Sequence, residues 1–341
     1  MISSVRSGSR LISRVPAAMK IAFAGLVLLG AGCKEKSDSV TPSGVKPIAR
    51  TIAVIPKGAT HEHWQRVKAG AEQAGKEFGV TILWKAPQTE NDRQQQIDLV
   101  KQFTADTVSA IVVAPLDDRG LVPSIKAAAL EKIPVILIDS GLAGVVGKDY
   151  IAYVGTDNRK GGVMAGEALG KALGGKGKVV MLRYMEGSAS TAERETGFLE
   201  AIKKFPDIQI ISDKQYSGAT SDVAQTKASN MLDDLRLADG VYTPNESSTY
   251  GMLEALRKAD LIKKVKFVGF DTSPPLLAAV RKGDIVAVVA QNPRKMGYLG
   301  VKAAVDSLNS TTVEPSIDTG AILITKENID SDEVKALFAT K

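Results

Sequence analysis

The feature that most constrains this chain is a series of short, unbroken apolar segments set between longer amphipathic ones. Ala110-Ile-Val-Val-Ala114 and Val135-Ile-Leu-Ile138 contain no polar residue. A strand with one wet face alternates apolar and polar residues, whereas a strand covered on both faces does not. Strands are therefore expected at Thr51–Ile55, Thr81–Trp84, Ala110–Ala114, Val135–Ile138 and Ile151–Val154. Helical periodicity falls at about 62–78, 91–104, 119–131 and 159–173, the last ended by Gly174-Gly-Lys-Gly177. A second series follows, with strands at Lys178–Leu182, Ile208–Ser212, Gly240–Tyr242, Lys266–Phe270, Ile285–Ala290 and Ala321–Thr325. Its helices fall at about 190–204, 220–235, 246–259, 274–281 and 294–308, with a closing turn at Asp332–Phe338. Alternation of this kind argues for α/β architecture with parallel sheets. Two such series, each large enough for its own sheet, imply two Rossmann-like lobes with a cleft between their strand C-termini.

The 341 residues suit two ordinary domains. Arg6, Arg10, Arg14 and Lys20 account for four of the six net positive charges, which leaves +2 for the rest and little electrostatic support for a nucleic-acid partner. These basic residues precede Ile21 to Gly32, an apolar run of twelve that is too short to span a bilayer and suits a signal peptide over residues 1–32. Cys33, the single cysteine, follows at once. Leu28-Leu-Gly-Ala-Gly-Cys33 resembles a bacterial lipobox, with Gly30 where leucine is usual. The resemblance implies lipidation of Cys33, a membrane-anchored lipoprotein in an extracytoplasmic or periplasmic location, and a flexible tether over residues 33–50.

The strand ends carry the functional signal. Lys57 follows the first strand, with His61, His63 and Trp64 opening the next helix. Pro115-Leu-Asp-Asp118 and Asp139-Ser140 follow the third and fourth strands. In the second series Arg183-Tyr184, Asn245, Asp271 and Gln291 occupy equivalent places, with Arg194 in the adjoining helix. Carboxylates accept from hydroxyls, Lys and Arg donate to them, and amides do both, so the set suits a neutral polyhydroxyl ligand. Trp64 offers a ring face for the C–H side of a sugar. Taken singly, Asp139 and Asn245 are equally suited to capping a helix, and Asp117-Asp118 reads as a cap.

Over residues 50–325 the chain resembles the type I periplasmic sugar-binding proteins of ABC importers, close to the ribose-binding group. The resemblance rests on Ile52-Ala-Val-Ile55, Ala110 to Pro115, Ile133 to Asp139, Val154-Gly-Thr-Asp-Asn158, Ser190 to Phe198, Val268-Gly-Phe-Asp271 and Ala290-Gln-Asn292. It implies a three-stranded hinge, with lobe one formed by residues 51–156 and 292–318 and lobe two by 157–291 and 319–341. It also implies a small sugar or polyol as ligand, a permease with its ATPase as partner, a monomer, no cofactor and no catalysis. The family's sugar contacts fall on Asp139, Arg194, Asn245, Asp271 and Gln291, its paired aromatics on His63 and Trp64, and the polar position before them on His61. Ser140 stands where ribose binders have arginine. The second-lobe aromatic falls near Ala219, a position that Tyr216 either takes over or leaves without an aromatic. Ile55-Pro-Lys57 and Thr243-Pro-Asn245 are similar to the autoinducer-2-binding branch.

Other readings have less support. A two-lobed transcriptional regulator would need a helix-turn-helix where the signal sequence stands. A metal site using His61 and His63 lacks further ligands, since these are the only two histidines. An enzyme would need a nucleophile–base pair or phosphate loop, and none is visible. A receptor feeding chemotaxis or a sensor kinase is an alternative that sequence does not separate from transport.

Overall fold

The computed structural model describes residues 50–338. The expected signal peptide, Cys33 and nearly all of the tether lie outside them. In chain order the first eight elements are β1 (Thr51–Ile55), α1 (Glu62–Phe78), β2 (Thr81–Trp84), α2 (Arg93–Ala105), β3 (Ala110–Val113), α3 (Val122–Leu130), β4 (Val135–Ile138) and β5 (Ala152–Gly155). They are followed by α4 (Asn158–Ala172), β6 (Lys176–Met181), α5 (Ala189–Ile202), β7 (Asp207–Ser212), α6 (Ser221–Ser229), α7 (Leu232–Leu237), β8 (Gly240–Tyr242), α8 (Glu246–Lys258), β9 (Lys266–Phe270), α9 (Pro274–Lys282) and β10 (Ala287–Gln291). The chain ends with α10 (Pro293–Leu308), β11 (Ser316–Asp318), β12 (Ala321–Thr325) and α11 (Asp332–Phe338).

The strands form two sheets, ordered β11-β5-β4-β3-β1-β2 and β12-β10-β9-β8-β6-β7. Every pairing is parallel except β10 with β12. The apolar runs explain this directly. Ile52 and Val54 pack on one face of the first sheet against α1 and α10, while Ala53 and Ile55 pack on the other against α2 and α3. In the second sheet Val179 and Met181 face α4 and α5, and Val180 faces the opposite layer. Each fully buried Val, Leu or Ile contributes about 1.5–3 kcal/mol by leaving water, which is why two-sided burial fixes these segments so strongly.

Two helix crossings bring backbones into contact. A Cβ on Gly297 of α10 would lie 2.0 Å from the carbonyl oxygen of Val67 in α1. A Cβ on Gly162 of α4 would lie 2.0 Å from the carbonyl oxygen of Arg194 in α5. Only glycine permits so close an approach. Each crossing joins a helix that carries cleft residues to the first helix after a connection between the sheets.

The chain passes between the sheets three times: from β5 to α4, from β10 to α10, and from β11 to β12. The crossings are tied together. The hydroxyl of Thr156 donates to Gln291 Oε1 at 2.9 Å, the amide of Asp157 to Asp318 Oδ1 at 3.3 Å, and the amide of Thr319 to the Gly155 carbonyl at 2.9 Å.

Some expectations need correction. The helix expected over 220–235 is two helices, broken at Asn230–Met231. The strand expected from Ile285 begins at Ala287 and runs through Gln291. Strand β6 starts at Lys176, inside the expected glycine turn. Strand β11, three residues at a sheet edge, was not expected.

Candidate functional site

The ends of β1, β4, β9 and β10, with the N-termini of α1, α5 and α8, surround one small cavity of about 20 Å³. Lys57, His61, His63, Trp64, Asp139, Arg194, Asn245, Asp271 and Gln291 all line it. Glu90, Tyr184, Ser190, Thr191 and Glu246 line it too.

Asp139 and Asp271 hold corresponding places in the two lobes. Each follows a strand directly and has a left-handed backbone, with φ of 62° and 68°. Aspartate tolerates this region better than most residues, and such local strain persists where surrounding structure enforces it. The turn ends the strand and leaves the carboxylate in the cleft. Asp139 is not a helix cap, since the next helix begins at Asn158. Asn245 is both things: its side chain and Ser248 form a capping box for α8, and it lines the cavity. Asp117 caps no helix; its carboxylate accepts the amides of Arg119 and Gly120 in a turn.

Charged groups are paired across the cavity. Lys57 Nζ lies 3.2 Å from Asp139 Oδ2 and donates to Ser190 Oγ of the second lobe at 2.8 Å. His63 Nε2 lies 3.1 Å from Asp139 Oδ1. His61 Nδ1 lies 2.7 Å from Glu90 Oε1. The two imidazoles therefore engage different carboxylates and do not converge on a common point. Among the described residues no group of three or more His, Cys, Asp or Glu is arranged to hold a metal.

Burial works against charge on His61, but the Glu90 carboxylate outweighs it and raises the imidazole to about 9. Burial likewise opposes protonation of His63, and the Asp139 carboxylate beside it overcomes that. Asp139 is held well below the usual carboxylate range: burial pushes it up, and Lys57 and His63 more than offset that. The cleft thus sets four basic side chains, Lys57, His61, His63 and Arg194, against four acidic ones, Glu90, Asp139, Glu246 and Asp271.

In the second lobe Arg194 donates to Asn158 Oδ1 at 2.8 Å and to the Pro244 carbonyl at 3.0 Å, and its guanidinium lies 4.0 Å over the Phe270 ring. Asp271 accepts from Gln291 Nε2 at 2.6 Å and from the Glu246 amide at 3.0 Å. Behind the first lobe's wall, the buried Gln96 side chain donates to the carbonyls of Pro56 and Ala114 and so ties the ends of β1 and β3 together.

Trp64 is 2% exposed, and its ring meets His63 edge to face at 4.7 Å. The second-lobe aromatic in the cavity is Tyr184; Tyr216 is 37% exposed and lies outside the lining. Several contacts bridge the lobes. The carboxylate of Glu246 accepts the His63 amide at 3.2 Å, Arg93 donates to the Glu186 carbonyl, and the Asp118 amide donates to the Gly187 carbonyl at 2.9 Å. A larger, more open groove near the crossings is lined by Asp118, Tyr153, Asp157 and Glu193, and of the cleft residues named above only Ser190 reaches it.

Residues 52–312 match a family described as periplasmic binding protein domain. The chain belongs to this family. A ribose import binding protein of Haemophilus influenzae is 27% identical over 271 residues, covering 78% of this chain and 88% of that protein. A D-allose-binding periplasmic protein of Escherichia coli is 29% identical over 272 residues, covering 78% and 87%. A carbohydrate transporter solute-binding protein from Agrobacterium radiobacter, solved in complex with D-arabinose, is 32% identical with a TM-score of 0.81, covering 86% of this chain and all of that one. With these neighbours, the two lobes are those of a type I periplasmic binding protein.

Proposed function

We propose that this periplasmic binding protein is the sugar-binding component of an ABC importer, capturing one small neutral sugar or polyol between its lobes and delivering it to a permease. The carrying observation is the cleft itself: equal numbers of basic and acidic side chains, with donors and acceptors contributed by both lobes. A net-charged ligand would leave an uncompensated buried charge in such a site, whereas hydroxyls can bond to either sign. The relatives named for ribose and allose, and the neighbour bound to D-arabinose, support the same ligand class.

The ligand-contacting residues on this reading are Lys57, His61, His63, Trp64, Asp139, Arg194, Asn245, Asp271 and Gln291. Residues 51–156 with 292–318, and 157–291 with 319–341, would move as two bodies about the three crossings, with ligand favouring the closed form. Lipidation of Cys33 would hold the protein at the membrane outside the cytoplasm, as a monomer. The deciding test is a calorimetric screen of pentoses, hexoses, deoxysugars and polyols. Stoichiometry near one with at least one of them is expected, and no heat from any would end the proposal.

A further inference from the structure

Glu90 lies in the turn between β2 and α2, where Gln88 and Asn91 are exposed and Thr89 and Asp92 half-buried. Its side chain is turned inward and is only 4% exposed. Three donors converge on it. Oε1 accepts the indole Nε1–H of Trp64 at 2.6 Å and pairs with His61 Nδ1 at 2.7 Å. Oε2 accepts the hydroxyl of Tyr184 at 2.7 Å. Trp64 and His61 belong to the same lobe as Glu90, and Tyr184 belongs to the other. A Cβ on Gly58 would stand 2.9 Å from Glu90 Cγ, so the turn after β1 is packed directly onto this side chain.

We propose that Glu90 is a positioning residue for sugar binding: it holds the Trp64 and His61 rings in place in either state of the cleft, and latches the closed state by receiving the Tyr184 hydroxyl. This rests on the proposed sugar-binding function. Three donors occupy most of the roughly four lone-pair directions of a carboxylate, so Glu90 acts through its neighbours and not as a ligand acceptor. The bonds to Trp64 and His61 lie within one lobe and survive opening. The Tyr184 bond spans the lobes and exists only when they meet. Its loss should therefore appear in the rate of ligand release and not in the rate of capture.

The test uses the full chain with Trp84→Phe, so that Trp64, the other of the two tryptophans, is the sole indole reporter. Stopped-flow fluorescence follows a sugar that the parent binds. Tyr184→Phe should raise dissociation by roughly tenfold, the scale of one hydrogen bond to a charged group, with association within about twofold. Glu90→Gln should weaken binding by at least as much, and the double variant should be no weaker than Glu90→Gln alone, within about twofold. A merely structural role would lower the folded fraction and leave both rates of the remaining molecules unchanged. Independently of any sugar, Glu90→Ala should increase acrylamide quenching of Trp64. Additive losses, dissociation in Tyr184→Phe within twofold of the parent, or unchanged quenching in Glu90→Ala would each overturn the latch. A parent that binds no sugar would refute the proposed function instead, and the quenching result would still decide whether Glu90 holds Trp64.

Discussion

Lys57 and Asp139 stand 3.2 Å apart at the ends of β1 and β4, with both side chains buried. Removing one partner of a buried pair strands the other and typically costs about 3–5 kcal/mol. Here His63 remains beside Asp139 and softens the loss. Lys57→Met should therefore destabilise the protein by about 2–3 kcal/mol, and Asp139→Asn in the same background should restore part of it. Denaturant unfolding measures both, and no recovery in the double variant would show that the pair is not the source of the loss.

The His61–Glu90 pair predicts a pH window. His61 is raised from 6.5 to about 9, so its contribution is complete below pH 6.5 and disappears as pH rises through 9. Glu90 is lowered from 4.5 to about 2 despite its burial, chiefly by His61, so its contribution is complete above 4.5 and disappears as pH falls through 2. The pair should stabilise most between pH 4.5 and 6.5. Melting temperatures measured from pH 2 to 9, compared with Glu90→Gln, should show both limbs flattened in the variant. Parallel curves would remove the pair as their cause.

The glycine crossings should be intolerant of a single methyl group. Gly162→Ala drives Cβ to 2.0 Å from the Arg194 backbone, and Gly297→Ala to the same distance from Val67. Overpacking of this kind costs about 1–3 kcal/mol. Gly162→Ala should also weaken sugar binding, because Arg194 must move. Calorimetry beside thermal unfolding separates the two effects, and unchanged binding in a destabilised protein would mean that α5 relaxes without disturbing Arg194.

Asp271→Ala leaves Gln291 and the Glu246 amide without their acceptor. Affinity for the cognate sugar should fall by more than about 1.5 kcal/mol, the scale of a hydrogen bond to a charged group. Titration calorimetry reads this directly, and an unchanged constant would exclude Asp271 from the ligand's contacts.

Cys33→Ser should move the protein from the membrane fraction to the soluble extracytoplasmic fraction. Retention at the membrane would defeat the lipidation proposal.

What the sequence disclosed follows from burial. Strands covered on both faces are unbroken apolar runs, so β1, β3 and β4 could be read directly. Strand β11 could not: its three residues, Ser-Ile-Asp, pair on one side only at a sheet edge. The α6–α7 break was hidden because Met231 and Leu235 are buried and continue the apolar periodicity past Asn230. Within the cleft, residues placed directly after strands could be identified because the architecture exposes those positions. Glu90 sits in Gln-Thr-Glu-Asn-Asp, which reads as a solvated turn, and only the folded chain shows which of these polar side chains points inward. Glu246 stands beside Asn245 after its strand, but an acidic residue in the first turn of a helix is already accounted for by the helix dipole. Tyr184 follows its strand, but the resemblance points to Tyr216.

The ion pairs of the cleft also bear on how choosy the protein is. Lys57, His63 and Asp139 have one another as partners, as do Asp271 and Gln291. On the proposed function an incoming hydroxyl would displace such a partner, and a sugar lacking that hydroxyl would let the partner stay. Deleting one hydroxyl then strands no buried group, and the usual penalty for a missing contact is muted. On the proposed function, deoxy and epimeric sugars of similar shape should compete within about one order of magnitude of the best ligand, a difference of about 1.4 kcal/mol. Competition titrations that spread them over several orders would contradict this. The same pairing that keeps charge tolerable inside the cleft would make the protein a generalist, able to draw on several carbon sources through one site.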